Sequence, residues 1–177
     1  PLIEAHLAAR PSLNKVLIWN RSVGKAAGVA RTIAENAEVE CEAVSHLDDA
    51  IPVADIICCA TMSVAPIIKG ALLSPGTHVD LVGAYTPDMR EADDEALKRS
   101  RLFADSFDTT LDHIGEYRIP LADGVIQRTD VLADFYGLID GADGRLSDDD
   151  ITLFKNGGGA HLDVMVALAL VGADKAS

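Results

Sequence analysis

The chain has 177 residues, 28 acidic against 15 basic side chains and a net charge of −13, with 49% hydrophobic but only 5% aromatic residues. That length allows one domain or slightly more, with a real core. The charge disfavours nucleic acid or an anionic membrane as partner, because both repel it, and no apolar run reaches transmembrane length. Cys41, Cys58 and Cys59 give no disulfide framework and no Cys-x-x-Cys pair, and no basic segment leads into an apolar stretch, so the expected compartment is the cytoplasm.

Residues 1–10 read as a helix with Leu2, Ile3, Ala5, Leu7 and Ala9 apolar, stopped before Pro11. Val16-Leu17-Ile18-Trp19 is a short continuous apolar run, the pattern of a strand buried on both faces. Ser22 can cap a helix running to about Asn36, and residues 39–44 alternate like a strand. A short helix over 47–51 precedes a second buried strand over 55–60, and a short helical stretch follows Pro66. Residues 77–82 form a strand, 93–100 a helix and 101–105 the last strand of the set. Strands alternating with helices of this length define right-handed βαβ units and a doubly wound parallel sheet with helices on both faces. Beyond Ser106 the pattern turns helical and looser, with helices expected over 108–115 and 130–139. The acidic stretch 140–150 lacks the order of a calcium loop and reads as solvated surface; no metal site is expected. Ile151-Thr152-Leu153-Phe154 also reads as a strand, and Gly157-Gly158-Gly159 opens a long apolar helix.

Four strand ends carry the chemistry. At the first, Asn20-Arg21-Ser22 stands where an acid would normally meet the adenosine ribose. An acid would repel the 2′-phosphate of NADP, whereas Arg21 can pair with it and Asn20 and Ser22 can add hydrogen bonds. The second, Ala60-Thr61-Met62, offers small and hydroxyl residues along a ribose and pyrophosphate path, and the preceding Cys58 and Cys59 read as core. At the third, Gly83 and Ala84 leave room for a planar ring against the backbone, with Tyr85, Thr86, Asp88, Arg90 and Glu91 as polar handles close by. The fourth is Asn156-Gly157 at the head of the glycine run, where a helix N-terminus offers backbone N–H groups. No segment supplies the Gly-x-Gly-x-x-Gly turn of a first Rossmann strand, so the sheet is expected to lack that strand, with the chain starting in its first helix.

The segments Ile18-Trp19-Asn20-Arg21-Ser22, Ala54-Asp55-Ile56-Ile57, Pro75-Gly76-Thr77-His78 and the run from Val82 through Glu91 resemble the ornithine cyclodeaminase/mu-crystallin family. Phe103-Ala104-Asp105-Ser106 and Ile151-Thr152-Leu153-Phe154-Lys155 agree with it, so the resemblance covers nearly the whole chain. It implies a dinucleotide-binding (Rossmann) domain over residues 1–106, and over 107–177 a helical part returning to an N-terminal substrate and dimerisation domain upstream of Pro1. It implies NADP, or NAD, as cofactor, a small imino or amino acid as substrate and a homodimer at full length. Family members cyclise ornithine to proline with loss of ammonia, dehydrogenate alanine, reduce cyclic imines such as pyrroline-2-carboxylate, or, like mu-crystallin, bind NADPH and a small ligand. The deaminating branches commonly carry an Asp directly after the glycine turn, and in the cyclodeaminase it is a general base. Tyr85 stands there in this chain. A phenol with a pKa of about 10 is a poor base at neutral pH but can donate a hydrogen bond or a proton, which favours reduction of an imine, with Tyr85 as the catalytic group. Residues 1–177 on their own are expected to show no turnover.

Overall fold

The computed structural model describes residues 1–174, which fall into two compact units, Pro1–Ala54 and one beginning at Asp55. In the first, helix α1 (Leu2–Ala9) is followed by strand β1 (Lys15–Ile18), helix α2 (Val23–Asn36), strand β2 (Glu40–Ala43) and the short helix α3 (Leu47–Ala50), which runs into a 3-10 turn at Ile51–Val53. The strands pair in parallel, Lys15 opposite Glu40 and Ile18 opposite Ala43. Parallel neighbours need a crossover, and α2 provides it. Ser22 starts that helix by accepting the Lys25 N–H, and Ala26 and Ala30, one turn apart, form its buried stripe. Lys15 lies 2.9 Å from Glu40 and 3.2 Å from Glu42, and these exposed pairs add little to stability.

In the second unit, strands β3 (Ile56–Cys59), β4 (His78–Leu81), β5 (Ser100–Ala104), β6 (Val131–Ala133) and β7 (Ile151–Lys155) form one five-stranded sheet in the order β3-β4-β7-β5-β6. Every pairing in it is parallel. Val79 and Leu81 on β4, Leu102 on β5 and Leu153 on β7 are buried, as expected of strands covered on both faces. Helix α4 (Asp94–Arg99) is capped by Asp93, which accepts the Ala96 N–H. Helices α5 (Phe107–Thr110), α6 (Gly115–Ala122), α7 (Phe135–Ile139) and α8 (Ala160–Asp174) follow. Within α6, the buried Tyr117 donates its hydroxyl to the Phe103 carbonyl at 2.8 Å, tying the helix to β5.

The parallel α/β class holds, and the structure changes four local expectations. The chain beyond Ser106 returns to the sheet twice: the strand expected over 151–154 forms as β7 and lies between β4 and β5, and an additional strand, β6, lies beyond β5. Residues 130–139 are β6 followed by α7 rather than one helix, because Val131 and Ala133 point inward, Leu132 outward, and Asp134 caps α7 by accepting the Gly137 N–H. After Pro66, Ile68 bridges to Ala92 and only a 3-10 turn, Gly70–Leu72, forms. The expected helix over 108–115 is split between α5 and the start of α6. On α8, Val164, Met165, Val166, Leu168, Leu170 and Val171 are all exposed. Among the described residues, no helix is long and apolar enough to cross a membrane.

Candidate functional site

Register sets the geometry of the second unit. Cys59 stands opposite Leu81, Leu81 opposite Lys155 and Lys155 opposite Ala104. The chain segments that leave β3, β4, β7 and β5 therefore emerge level along one edge: Ala60-Thr61, Val82-Gly83, Asn156-Gly157 and Asp105. In an open parallel sheet that edge is where ligands bind.

A buried carboxylate joins two of these ends. Glu91, fully buried, accepts the Thr61 N–H at 2.6 Å, the Thr61 hydroxyl at 2.9 Å, the Gly83 N–H at 2.8 Å and the Ala84 N–H at 3.2 Å. Such saturation is what makes a buried charge tolerable. Behind it Glu116, also fully buried, accepts the Glu91 N–H at 2.7 Å and the Ala92 N–H at 3.1 Å. Burial pushes the Glu116 carboxyl up to about 7, against the pull of those two N–H groups, Lys155 and Arg90. Lys155 is buried as well and donates to the carbonyls of Leu81 at 3.0 Å and Asn156 at 2.6 Å, fastening β4 to β7. Burial lowers its pKa, opposed chiefly by Glu116 and then by Glu91, Asp105 and Asp80.

Arg90 and Glu91, expected as handles for a ligand, are buried inside the fold: Glu91 is saturated as described, and Arg90 has Nη1 2.8 Å from Asp94, with its Nε and Nη2 unpartnered among the described residues. The physical reason is that backbone N–H groups at a sheet edge need an acceptor as much as any ligand does. Gly83 does not hold space open on its side-chain side. A Cβ there would overlap the backbone of Thr61 and lie 2.6 Å from Glu91 Oε1, so glycine is required by the close approach of β3 and β4. Ala84 is fully buried and Thr61 is bound to Glu91, while Ala60 and Met62 are exposed. Tyr85 is 58% exposed, and beside it the Thr86 hydroxyl donates to Asp88 at 2.5 Å.

At the opening of α8, Asn156 Oδ1 accepts the Gly158 N–H at 2.8 Å, and Gly158 has φ +71°, a conformation that suits glycine. A Cβ on Gly157 would overlap the Thr110 hydroxyl and lie 3.2 Å from Asp105 Oδ1, so the chain passes hard against the end of β5. Asp105 Oδ1 accepts the Ser106 N–H at 2.8 Å and the Thr110 hydroxyl at 2.5 Å. Its Oδ2 lies 3.8 Å from His161 Nε2, and among the described residues neither atom has a hydrogen-bond partner. Cys58 is exposed rather than core, but burial of its sulfur and the neighbouring Asp80 push its thiol up to about 12, so it is not a thiolate at neutral pH. In the first unit, Asn20 Oδ1 accepts the Ser22 N–H at 2.9 Å and Ser22 caps α2, while Arg21 is exposed. Glu116 is not legible in the sequence, since nothing in Gly115-Glu116-Tyr117 marks a carboxylate as buried, and Lys155 stands out there only as part of the segment that leads into the glycine run.

A five-stranded parallel sheet with level carboxyl ends, small residues at those ends and a glycine-headed helix beside them defines a Rossmann-like dinucleotide fold. These ends fit a dinucleotide: the first turn of α8 offers backbone N–H groups, and Ala60, Met62 and Tyr85 are exposed on the segments that leave β3 and β4. The chain belongs to the ornithine cyclodeaminase/mu-crystallin family, whose model matches residues 2–175. It is 48% identical over 167 residues to the Delta(1)-pyrroline-2-carboxylate reductase of Paracoccus denitrificans, covering 94% of this chain and 52% of the reductase. Its fold is similar to that of the Thermococcus litoralis Delta(1)-pyrroline-2-carboxylate reductase in complex with NADH and L-proline, with TM-score 0.82 and 29% identity, over 88% of this chain and 50% of the other. An archaeal alanine dehydrogenase dimer with bound NAD is similar with TM-score 0.84 and 30% identity, over 94% and 51% respectively. The chain thus spans about half the length of the relatives it matches.

Proposed function

We propose that this chain supplies the dinucleotide-binding part of an NAD(P)H-dependent reductase that converts a small cyclic ketimine carboxylate, of the pyrroline-2-carboxylate type, to the cyclic amino acid. The observation that carries the reading is the 48% identity to a reductase of that substrate across 94% of the chain. Tyr85 supports it, because an exposed phenol at the end of β4 suits donation to an imine nitrogen and not base catalysis of deamination. The nicotinamide cofactor, when bound, supplies the hydride. Gly83, Ala84, Asn156 and Gly157 shape the edge that would receive it, with Ala60, Thr61 and Met62 alongside; the buried Ala84 and the Glu91-bound Thr61 act by fixing backbone. Arg21 would pair with the 2′-phosphate of NADP, with Asn20 and Ser22 holding the turn on which it stands.

The apolar surface of α8, which follows the last sheet strand β7, supports a return of the chain from there to a substrate and dimerisation domain, in a homodimer. A cytoplasmic location rests on the three free cysteines. The test is an assay of the protein at its natural full length with NADPH and NADH against pyrroline-2-carboxylate, piperideine-2-carboxylate, ornithine and alanine. Imine reduction supports the reading; ammonia release from ornithine, or oxidation of alanine alone, would replace it with a cyclodeaminase or an alanine dehydrogenase. NADPH binding with no turnover of any of the four would replace it with a small-ligand binding protein.

A further inference from the structure

The two buried glutamates act in series. Glu116 holds the N–H groups of Glu91 and Ala92, and Glu91 in turn holds Thr61 at the end of β3 and Gly83 and Ala84 at the end of β4. Glu116 therefore has no direct hydrogen bond to the segments that meet a ligand, yet it fixes the backbone on which their anchor is mounted. Glu91 needs its four N–H and O–H partners and offers them no alternative acceptor. A shift of its main chain moves both strand ends together. We propose that Glu116 is a positioning residue of the dinucleotide edge, acting through Glu91 to set the spacing of Thr61 from Gly83 and Ala84, and that it does so only when ionised.

The ionised form matters because two N–H groups need two accepting oxygens. A proton on either oxygen removes one acceptor or leaves an N–H facing an O–H. The charged and titratable groups that face Glu116 are Lys155 on β7, Arg90 on the loop after β4, the Cys59 thiol on β3 and the Tyr117 phenol on its own helix. Lys155 and Arg90 favour its charge. Both lie within the same unit, so the arrangement is internal to the edge it serves. The inference rests on the reading of this edge as a dinucleotide site.

Two measurements on the wild-type protein and on Glu116→Gln test it. The first is the NADH dissociation constant by nucleotide fluorescence at pH 6 and pH 8. NADH is the probe because the 2′-phosphate of NADPH itself titrates near about 6. The second is amide hydrogen exchange at Gly83 and Ala84 without nucleotide. Wild type should bind NADH more weakly at pH 6 than at pH 8, with faster exchange at both amides after correction for intrinsic rates. Glu116→Gln should bind roughly tenfold more weakly at pH 8, in line with the loss of one charge-assisted hydrogen bond, and show no step between the two pH values. A variant with wild-type affinity and a wild-type pH step would overturn the proposal, even if its thermal stability were lower, since a merely structural role would move stability alone. Should the variant not fold, absence of any pH step in wild-type exchange at Gly83 and Ala84 would overturn it equally. Failure of wild type to bind NADH at either pH would instead overturn the dinucleotide reading.

Discussion

Gly83 stands so close to Thr61 that a Cβ on it would overlap both the carbonyl oxygen and the nitrogen of that residue. The obstacle is backbone, which cannot swing aside as a long side chain can. Gly83→Ala is expected to destabilise the fold by about 1–3 kcal/mol, the usual range for overpacking, and to loosen the grip of Glu91 on both strand ends. Urea unfolding midpoints would show the first effect, and the NADH dissociation constant the second. A fully stable Ala variant would mean that β3 and β4 can part at no cost.

Glu116 ties stability to pH. Its carboxyl is raised from an ordinary value of 4.5 to about 7 by burial, so between those two values the folded state keeps a proton that the unfolded chain has released. The resulting stabilisation is fully present below about 4.5 and is lost as pH rises through about 7. Urea midpoints of wild type at pH 5 and pH 8, compared with those of Glu116→Gln, should show this component in wild type only. The proton that relieves the buried charge is also the one that releases the strand ends, so the form that binds nucleotide best is the less stable one.

Arg21→Ala is expected to remove about 1–3 kcal/mol of preference for NADPH over NADH, the range for hydrogen bonds to charged groups, while leaving the NADH affinity close to that of the parent. Parallel titrations with both nucleotides decide it. Equal losses for both would place Arg21 on a part of the cofactor that the two share.

Tyr85 is 58% exposed, so Tyr85→Phe should change stability by no more than about 0.5 kcal/mol. In the full-length protein, loss of the phenol should lower kcat for imine reduction roughly 10²-fold with little change in the KM for NADPH. Unchanged kcat would take Tyr85 out of the chemistry.

Short buried strands announced themselves well. Ile56-Ile57 is a β-branched run, and Val79 and Leu81 alternate with Asp80; both segments are bounded by turn residues and form β3 and β4. The place of β7 was not legible, because a continuous apolar run says that a strand is buried without saying beside which others. Val131 to Ala133 is too short for its alternation to stand out from the helix that follows. At the site, Arg90 and Glu91 look in sequence like any charged pair in a loop. That Glu91 spends its acceptors on the segments leaving two strands depends on partners eight and thirty residues away, Gly83 and Thr61, and on Glu116, twenty-five residues further along. Local pattern carries no record of such pairings.

The strand order has a consequence for how the chain is made. β7 is inserted between β4 and β5 although it follows both in sequence, by nearly fifty residues in the case of β5. Until Ile151–Lys155 leaves the ribosome, β4 and β5 each present an unpaired apolar edge, the kind of surface that recruits other strands. Synthesis that stalls before residue 150 would therefore release a product prone to aggregate, and the nucleotide edge, which needs Lys155 to fasten β4 to β7, is completed only once β7 has been translated.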